Sequence, residues 1–136
     1  MAYVPRMGDY PDDLRYTEDH EWVRVRERGM TLGITERGLD ELGPIGFASL
    51  AYPGELILPG KLLARLSADE GTVTLSMPFT GMVSEINQSL SDSPALINSD
   101  PYGAGWLVKI EAGDPAAVEQ LMDAEAYAAF VGAAQS

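Results

Sequence analysis

Leu62-Leu63-Ala64-Arg65-Leu66-Ser67-Ala68-Asp69-Glu70-Gly71-Thr72-Val73-Thr74-Leu75-Ser76-Met77 places two apolar runs on either side of a polar turn. In the second run Val73, Leu75 and Met77 fall on one side and Thr72, Thr74 and Ser76 on the other. That is the two-residue period of a half-buried strand. Leu62 to Ser67 reads as its partner strand, and Ala68-Asp69-Glu70-Gly71 has the chemistry of a tight hairpin tip.

On both sides of this hairpin, Gly and Pro punctuate the chain from Gly29 to Pro115 at intervals suited to short strands, the pattern of an all-β sandwich or barrel. Glu21 to Arg28 and Met30 to Ile34 form a hairpin turning at Arg28-Gly29, with Val23 and Val25 on one face and Trp22, Arg24, Arg26 and Arg28 on the other. Thr35 caps a short helix through Leu42, with Glu36 in the first turn where the helix dipole favours an anion, and Gly43-Pro44 stops it. Ile45 to Leu50, Met82 to Asn87 and Trp106 to Glu111 read as further strands. Loops fall around Pro53, Gly54, Pro59 and Gly60, and around Pro94 and Pro101.

The end of the chain differs in kind. Asp114-Pro115 reads as a helix start, with Val118, Leu121 and Met122 at helical spacing behind it. Asp123 caps a second helix whose apolar stripe is Tyr127, Phe130 and Val131. The expectation is a loosely ordered lead-in over 1–15, one domain over 16–131 and a frayed tail over 132–136.

The 136 residues suffice for one domain with its own core. The absence of cysteine excludes disulfides, thiolate metal sites and cysteine nucleophiles, and points to the cytoplasm. A formal charge of −12 argues against a protein that coats phosphate backbones, so no nucleic-acid partner is expected, and it disfavours self-association, so a monomer is. No apolar run approaches the ~20 residues that span a bilayer, and the first residues contain no apolar export segment, so no membrane role is expected.

Few side chains suggest chemistry. His20 is the only histidine, which leaves no zinc site and no recognisable triad, so its expected role is structural and the chain is not read as an enzyme. Arg24, Arg26 and Arg28 read as a solvated row paired with nearby carboxylates. Asp69 and Glu70 do not make a metal site, since calcium wants six or more oxygens. With Gly71 they are the partner-contact candidates, an acidic tip suited to a basic pocket.

Four segments in register resemble the H-protein family of the glycine cleavage system. They are Tyr16-Thr17-Glu18-Asp19-His20-Glu21-Trp22-Val23, Leu32-Gly33-Ile34-Thr35, Asp100-Pro101-Tyr102-Gly103-Ala104-Gly105-Trp106-Leu107 and Asp123-Ala124-Glu125-Ala126-Tyr127. The resemblance implies a mainly β barrel-sandwich hybrid, the hammerhead of lipoyl and biotinyl carrier domains, with two packed antiparallel sheets and short helices. It also implies a carrier without an active site of its own. Its lipoate, held by amide linkage on a lysine at an exposed hairpin tip, shuttles an aminomethyl group among glycine decarboxylase, aminomethyltransferase and dihydrolipoyl dehydrogenase.

Pro78-Phe79-Thr80-Gly81-Met82-Val83-Ser84-Glu85-Ile86-Asn87 is similar to the family's stretch following that hairpin. Counting back from it without gaps puts Glu70 at the position of the lipoyl lysine. Ser67-Ala68-Asp69-Glu70-Gly71-Thr72 stands where the family has a Glu-Ser-Val-Lys-Ala-Ala type of sequence. Lys61 and Lys109 are the only lysines, and neither lies in such a sequence. The expectation is a non-lipoylated module without cofactor or metal, recognising glycine decarboxylase, aminomethyltransferase or the lipoate-attaching enzymes. The alternative is a working carrier that uses another attachment site.

Overall fold

Antiparallel backbone pairing organises the chain, as the period-two patterns require. The computed structural model describes residues 10–26, 29–40, 42–112 and 116–135. Its strands are β1 (Arg15–Tyr16), β2 (Glu21–Arg26), β3 (Gly29–Ile34), β4 (Ile45–Leu50), β5 (Leu56–Ile57), β6 (Leu62–Ala68), β7 (Gly71–Ser76), β8 (Gly81–Ile86) and β9 (Val108–Ala112). Its helices are α1 (Glu36–Leu39), α2 (Ser89–Asp92), α3 (Leu96–Ser99), α4 (Ala116–Glu119) and α5 (Ala124–Gln135). One sheet runs in the order β1-β2-β3-β9-β8-β5 and the other β4-β6-β7, every pairing antiparallel.

The two sheets share one core. Val23, Leu32, Val83, Val108 and Ile110 from the large sheet cluster with Leu63, Leu66 and Leu75 from the small one, all buried. Each such side chain contributes about 1.5–3 kcal/mol on burial, so the small sheet is held by its inner residues rather than by its edges. A second cluster of Leu14, Tyr16, Trp22, Ala124, Tyr127 and Val131 lies on the opposite face of β2, where α5 covers it.

That second cluster accounts for the β2 pattern. Val23 faces the main core and Trp22 the other cluster, so consecutive residues are both buried. Gly33 pairs with Trp22, and a β-carbon there would collide with the indole ring. The indole Nε1 donates to the Pro101 carbonyl at 2.9 Å. Val25, expected to follow Val23 into the core, is instead 55 % exposed, because cover ends before the end of the strand.

Other expectations shift locally. Leu14 is buried and Arg15 pairs with Val23, so ordered packing reaches into the segment read as lead-in. Thr35 Oγ1 accepts from Gly38 N at 3.3 Å as the helix cap, but α1 ends at Leu39 rather than Leu42. The loop before Lys61 contains β5, and the loop after Asn87 contains α2 and α3. Asp123 caps α5 by accepting from Ala126 N at 2.8 Å, and the helix runs to Gln135, into the segment expected to fray. Arg28 and the Asp114-Pro115 helix start lie outside the described residues, as do 1–9 of the lead-in and residue 136 of the tail.

Candidate functional site

β6 and β7 pair from Ala68↔Gly71 through Ser67↔Thr72, Leu66↔Val73 and Arg65↔Thr74, which leaves Asp69 and Glu70 alone as the loop. Gly71 adopts φ +151°, a conformation open to glycine and strained for other residues. Ala64, Leu66 and Leu75 anchor the hairpin in the core while Arg65, Thr72 and Thr74 face outward. Asp69 and Glu70 are exposed at the end of this rigid stem, so the three residues singled out from the sequence lie together.

The tip is backed by the connection from α1 to β4. A β-carbon on Gly43 would stand 3.9 Å from Glu70 Cγ, and one on Gly71 would stand 3.9 Å from Leu42 Cδ2. Asn98 fixes that connection, donating from Nδ2 to the Gly43 carbonyl at 3.0 Å and accepting at Oδ1 from Ile45 N at 2.8 Å. Asn98 escaped the sequence reading because a polar residue in a Ser/Pro-rich stretch carries no periodic signal.

Chemically, the tip offers two carboxylates and no amine. Lys109 is engaged elsewhere, 2.9 Å from Glu85 and 4.9 Å from the Trp106 ring centre. Lys61 follows the Pro59-Gly60 turn at the opposite end of β6, exposed and without an ion pair among the described residues.

Glu21 was read from sequence only as part of the opening segment, and the structure buries it to 1 % exposure. Its Oε1 accepts from Thr17 Oγ1 at 3.2 Å, while Oε2 has no partner among the described residues. Burial pushes its pKa to about 8, against the smaller opposing effect of the Thr17 hydrogen bond, so the carboxyl is protonated at neutral pH. It borders a cleft of about 410 Å³ lined also by Thr17, Pro59, Gly60, Met77 and Leu121.

His20 has the structural role expected of it. It adopts φ +68°, and its Nδ1 lies 2.6 Å from the Tyr127 hydroxyl, which lies 2.8 Å from Thr35 Oγ1. This chain ties the turn before β2, the cap of α1 and α5 together. Burial, then Arg37, lowers the imidazole pKa, with Asp19 and Asp40 opposing, so the ring is neutral at pH 7.

Arg24 and Arg26 of the basic row are tied down locally, too. Arg24 lies 3.8 Å from Asp13, 5.2 Å from the Trp22 ring centre, and donates to the Tyr102 carbonyl, while Arg26 donates to Thr31 Oγ1 at 3.0 Å. Among the described residues no three His, Cys, Asp or Glu side chains are placed to hold a metal ion. No helix among them is long and apolar enough to cross a membrane.

The family model of the glycine cleavage H-protein matches residues 14–134. The chain belongs to that family. It is 40 % identical over 121 residues to the glycine cleavage system H protein of Myxococcus xanthus, covering 89 % of this chain and 94 % of that one. The H protein of Salinibacter ruber is 42 % identical over 120 residues, with 88 % and 97 % covered. Among solved structures, the glycine cleavage system H protein from Mycobacterium marinum superposes with a TM-score of 0.83 at 32 % identity, covering 90 % of this chain and 99 % of that one. The two-sheet hammerhead expected from the H-protein resemblance is the fold found, and the match begins at Leu14, the first residue buried in the second cluster.

Proposed function

We propose that this H-protein family member is a non-lipoylated module that acts by recognising proteins rather than by carrying a lipoyl arm. The observation that carries the reading is the tip, where Asp69 and Glu70 occupy a two-residue loop on an intact hairpin stem. An amide to lipoate needs a primary amine on a long stem, and lysine is the side chain that has one. The tip residues therefore do not fit lipoate as a resident group.

A preserved stem with an acidic end favours a partner surface bearing cations. The candidates are the proteins an H-protein meets, namely glycine decarboxylase, aminomethyltransferase and the lipoate-attaching enzymes. Binding there lets a cytoplasmic, monomeric chain compete with or scaffold a lipoylated carrier. The purified chain immobilised on a resin is expected to retain one of these enzymes, and Glu70→Lys is expected to weaken that retention. No retention, with full activity of the enzymes in its presence, overturns the link to glycine cleavage.

One observation favours a second reading, a carrier loaded at another lysine. Lys61 is exposed beside a turn, so its amine is accessible. Intact mass of protein isolated from its own cell separates the two readings.

A further inference from the structure

An open groove of about 510 Å³ lies between the segment 49–58 and the start of β6, at the end of the hairpin stem opposite the acidic tip. Leu62 begins β6 and Asp69 follows its last residue, seven positions on, about 23 Å at strand rise. Tyr52, Leu56, Leu58 and Leu62 all line the groove, and each is more than half exposed. Singly exposed apolar residues are ordinary, but several around one groove mark an interaction surface.

The fold does not require these side chains. Ile57 and Leu63, interleaved with them, are the residues that enter the core. The groove is nonetheless held in shape by its backbone: Gly54 N donates to Val83 O at 2.7 Å, Val83 N to Glu55 O at 2.9 Å, Ala51 N to Leu63 O at 3.0 Å and Lys61 N to Leu58 O at 3.1 Å. A surface already fixed in this way loses little conformational entropy on binding.

Charge indicates what covers it. The chain carries 21 acidic and nine basic residues, yet Lys61 in the groove has no ion pair among the described residues. Arg65 is likewise unpaired among them, exposed, and directly across from the groove residue Ser49. Glu55, the acidic residue of the lining, accepts from Tyr52 N at 3.2 Å. Two free cations thus flank leucines on a chain of net charge −12.

We propose that this groove is a docking surface for an acidic amphipathic segment of a partner protein, its apolar side against Tyr52, Leu56, Leu58 and Leu62 and its carboxylates toward Lys61 and Arg65. The inference rests on the reading that the chain acts through protein partners, and it supplies a second contact for them, separate from the tip.

The test uses the full isotopically labelled chain titrated with a synthetic amphipathic helix bearing leucines on one side and flanking glutamates, and with the same peptide bearing lysines. The glutamate peptide is expected to shift amide signals within 49–65. It is expected to bind at least tenfold more weakly to Lys61→Glu and to Leu56→Ser/Leu58→Ser, and unchanged to Glu70→Lys. These positions are exposed, so the variants are expected to keep the dispersed spectrum of the folded chain. Equal binding of the two peptides, no shifts within 49–65, or occupation of the same residues by octanoate, anionic phosphatidylglycerol vesicles or a second copy of the chain instead of the glutamate peptide overturns the proposal. A chain found to carry lipoate defeats the proposed function while leaving this titration readable.

Discussion

Gly71 faces Ala68 directly across the hairpin, and its φ of +151° lets β7 start immediately after Glu70. The turn therefore depends on its glycine, whereas the acidic residues beside it are free of that duty. Gly71→Val is expected to destabilise the chain by about 1–3 kcal/mol through backbone strain. Glu70→Lys, an exposed change, is expected to stay within about 0.5 kcal/mol. Denaturant unfolding of the two variants checks the contrast, and equal losses would show that the tip conformation is not what limits it.

Glu21 makes stability depend on pH. Its pKa rises from 4.5 in the unfolded chain to about 8 in the folded one. Between those values the folded state holds a proton the unfolded state has released. Glu21 therefore favours folding most below about pH 4.5, and that advantage is lost as pH rises to about 8, at a slope near 1.4 kcal/mol per unit. Glu21→Gln is expected to remove the slope. Unfolding curves at intervals from pH 5 to 8 measure it, and parallel pH profiles for variant and parent would refute the buried, protonated carboxyl.

The Tyr127 hydroxyl joins His20 and Thr35, so Tyr127→Phe and Thr35→Ala act on one network. Each is expected to cost about 1–2 kcal/mol, the first from a lost buried hydrogen bond and the second from a lost cap. Because the groups share partners, the double variant is expected to lose less than the sum. Strict additivity in a double-mutant cycle would contradict the network.

Leu66 and Leu75, inner residues of β6 and β7, are fully buried. Truncating either to alanine is expected to cost about 2–5 kcal/mol by leaving a cavity. Thermal unfolding reads this directly, and a loss under about 1 kcal/mol would mean that the small sheet is not anchored through the core.

Where a strand is covered on one face its residues announce it. Ile45–Leu50 has the boundaries expected of it, and the tip of the β6–β7 hairpin falls where Asp69 and Glu70 place it. Trp22 is a sheet-covering residue as its aromatic type suggests, and the apolar stripe of Tyr127, Phe130 and Val131 marks α5 as the helix that closes the far side of β2. The shortest elements leave less trace. Leu56–Ile57 is too short to show a period, and α2 and α3 are single turns hidden among Ser, Asp and Pro. A buried carboxyl is not signalled by the residues around Glu21, although it shares the face of Val23; its burial follows from β1 and the cleft around Thr17 and Leu121.

The candidate site was legible in its composition and not in its surroundings. The acidic tip is visible in Asp69-Glu70-Gly71. Its support by Asn98 and the apolar groove at the other end of the stem exist only after the chain folds.

Intact-mass measurement of the protein isolated from its own cell tests the unmodified tip most directly. The expected mass is that of the unmodified chain. An added lipoyl amide, mapped by fragmentation to Lys61 or Lys109, would contradict the account and restore the chain to the carriers.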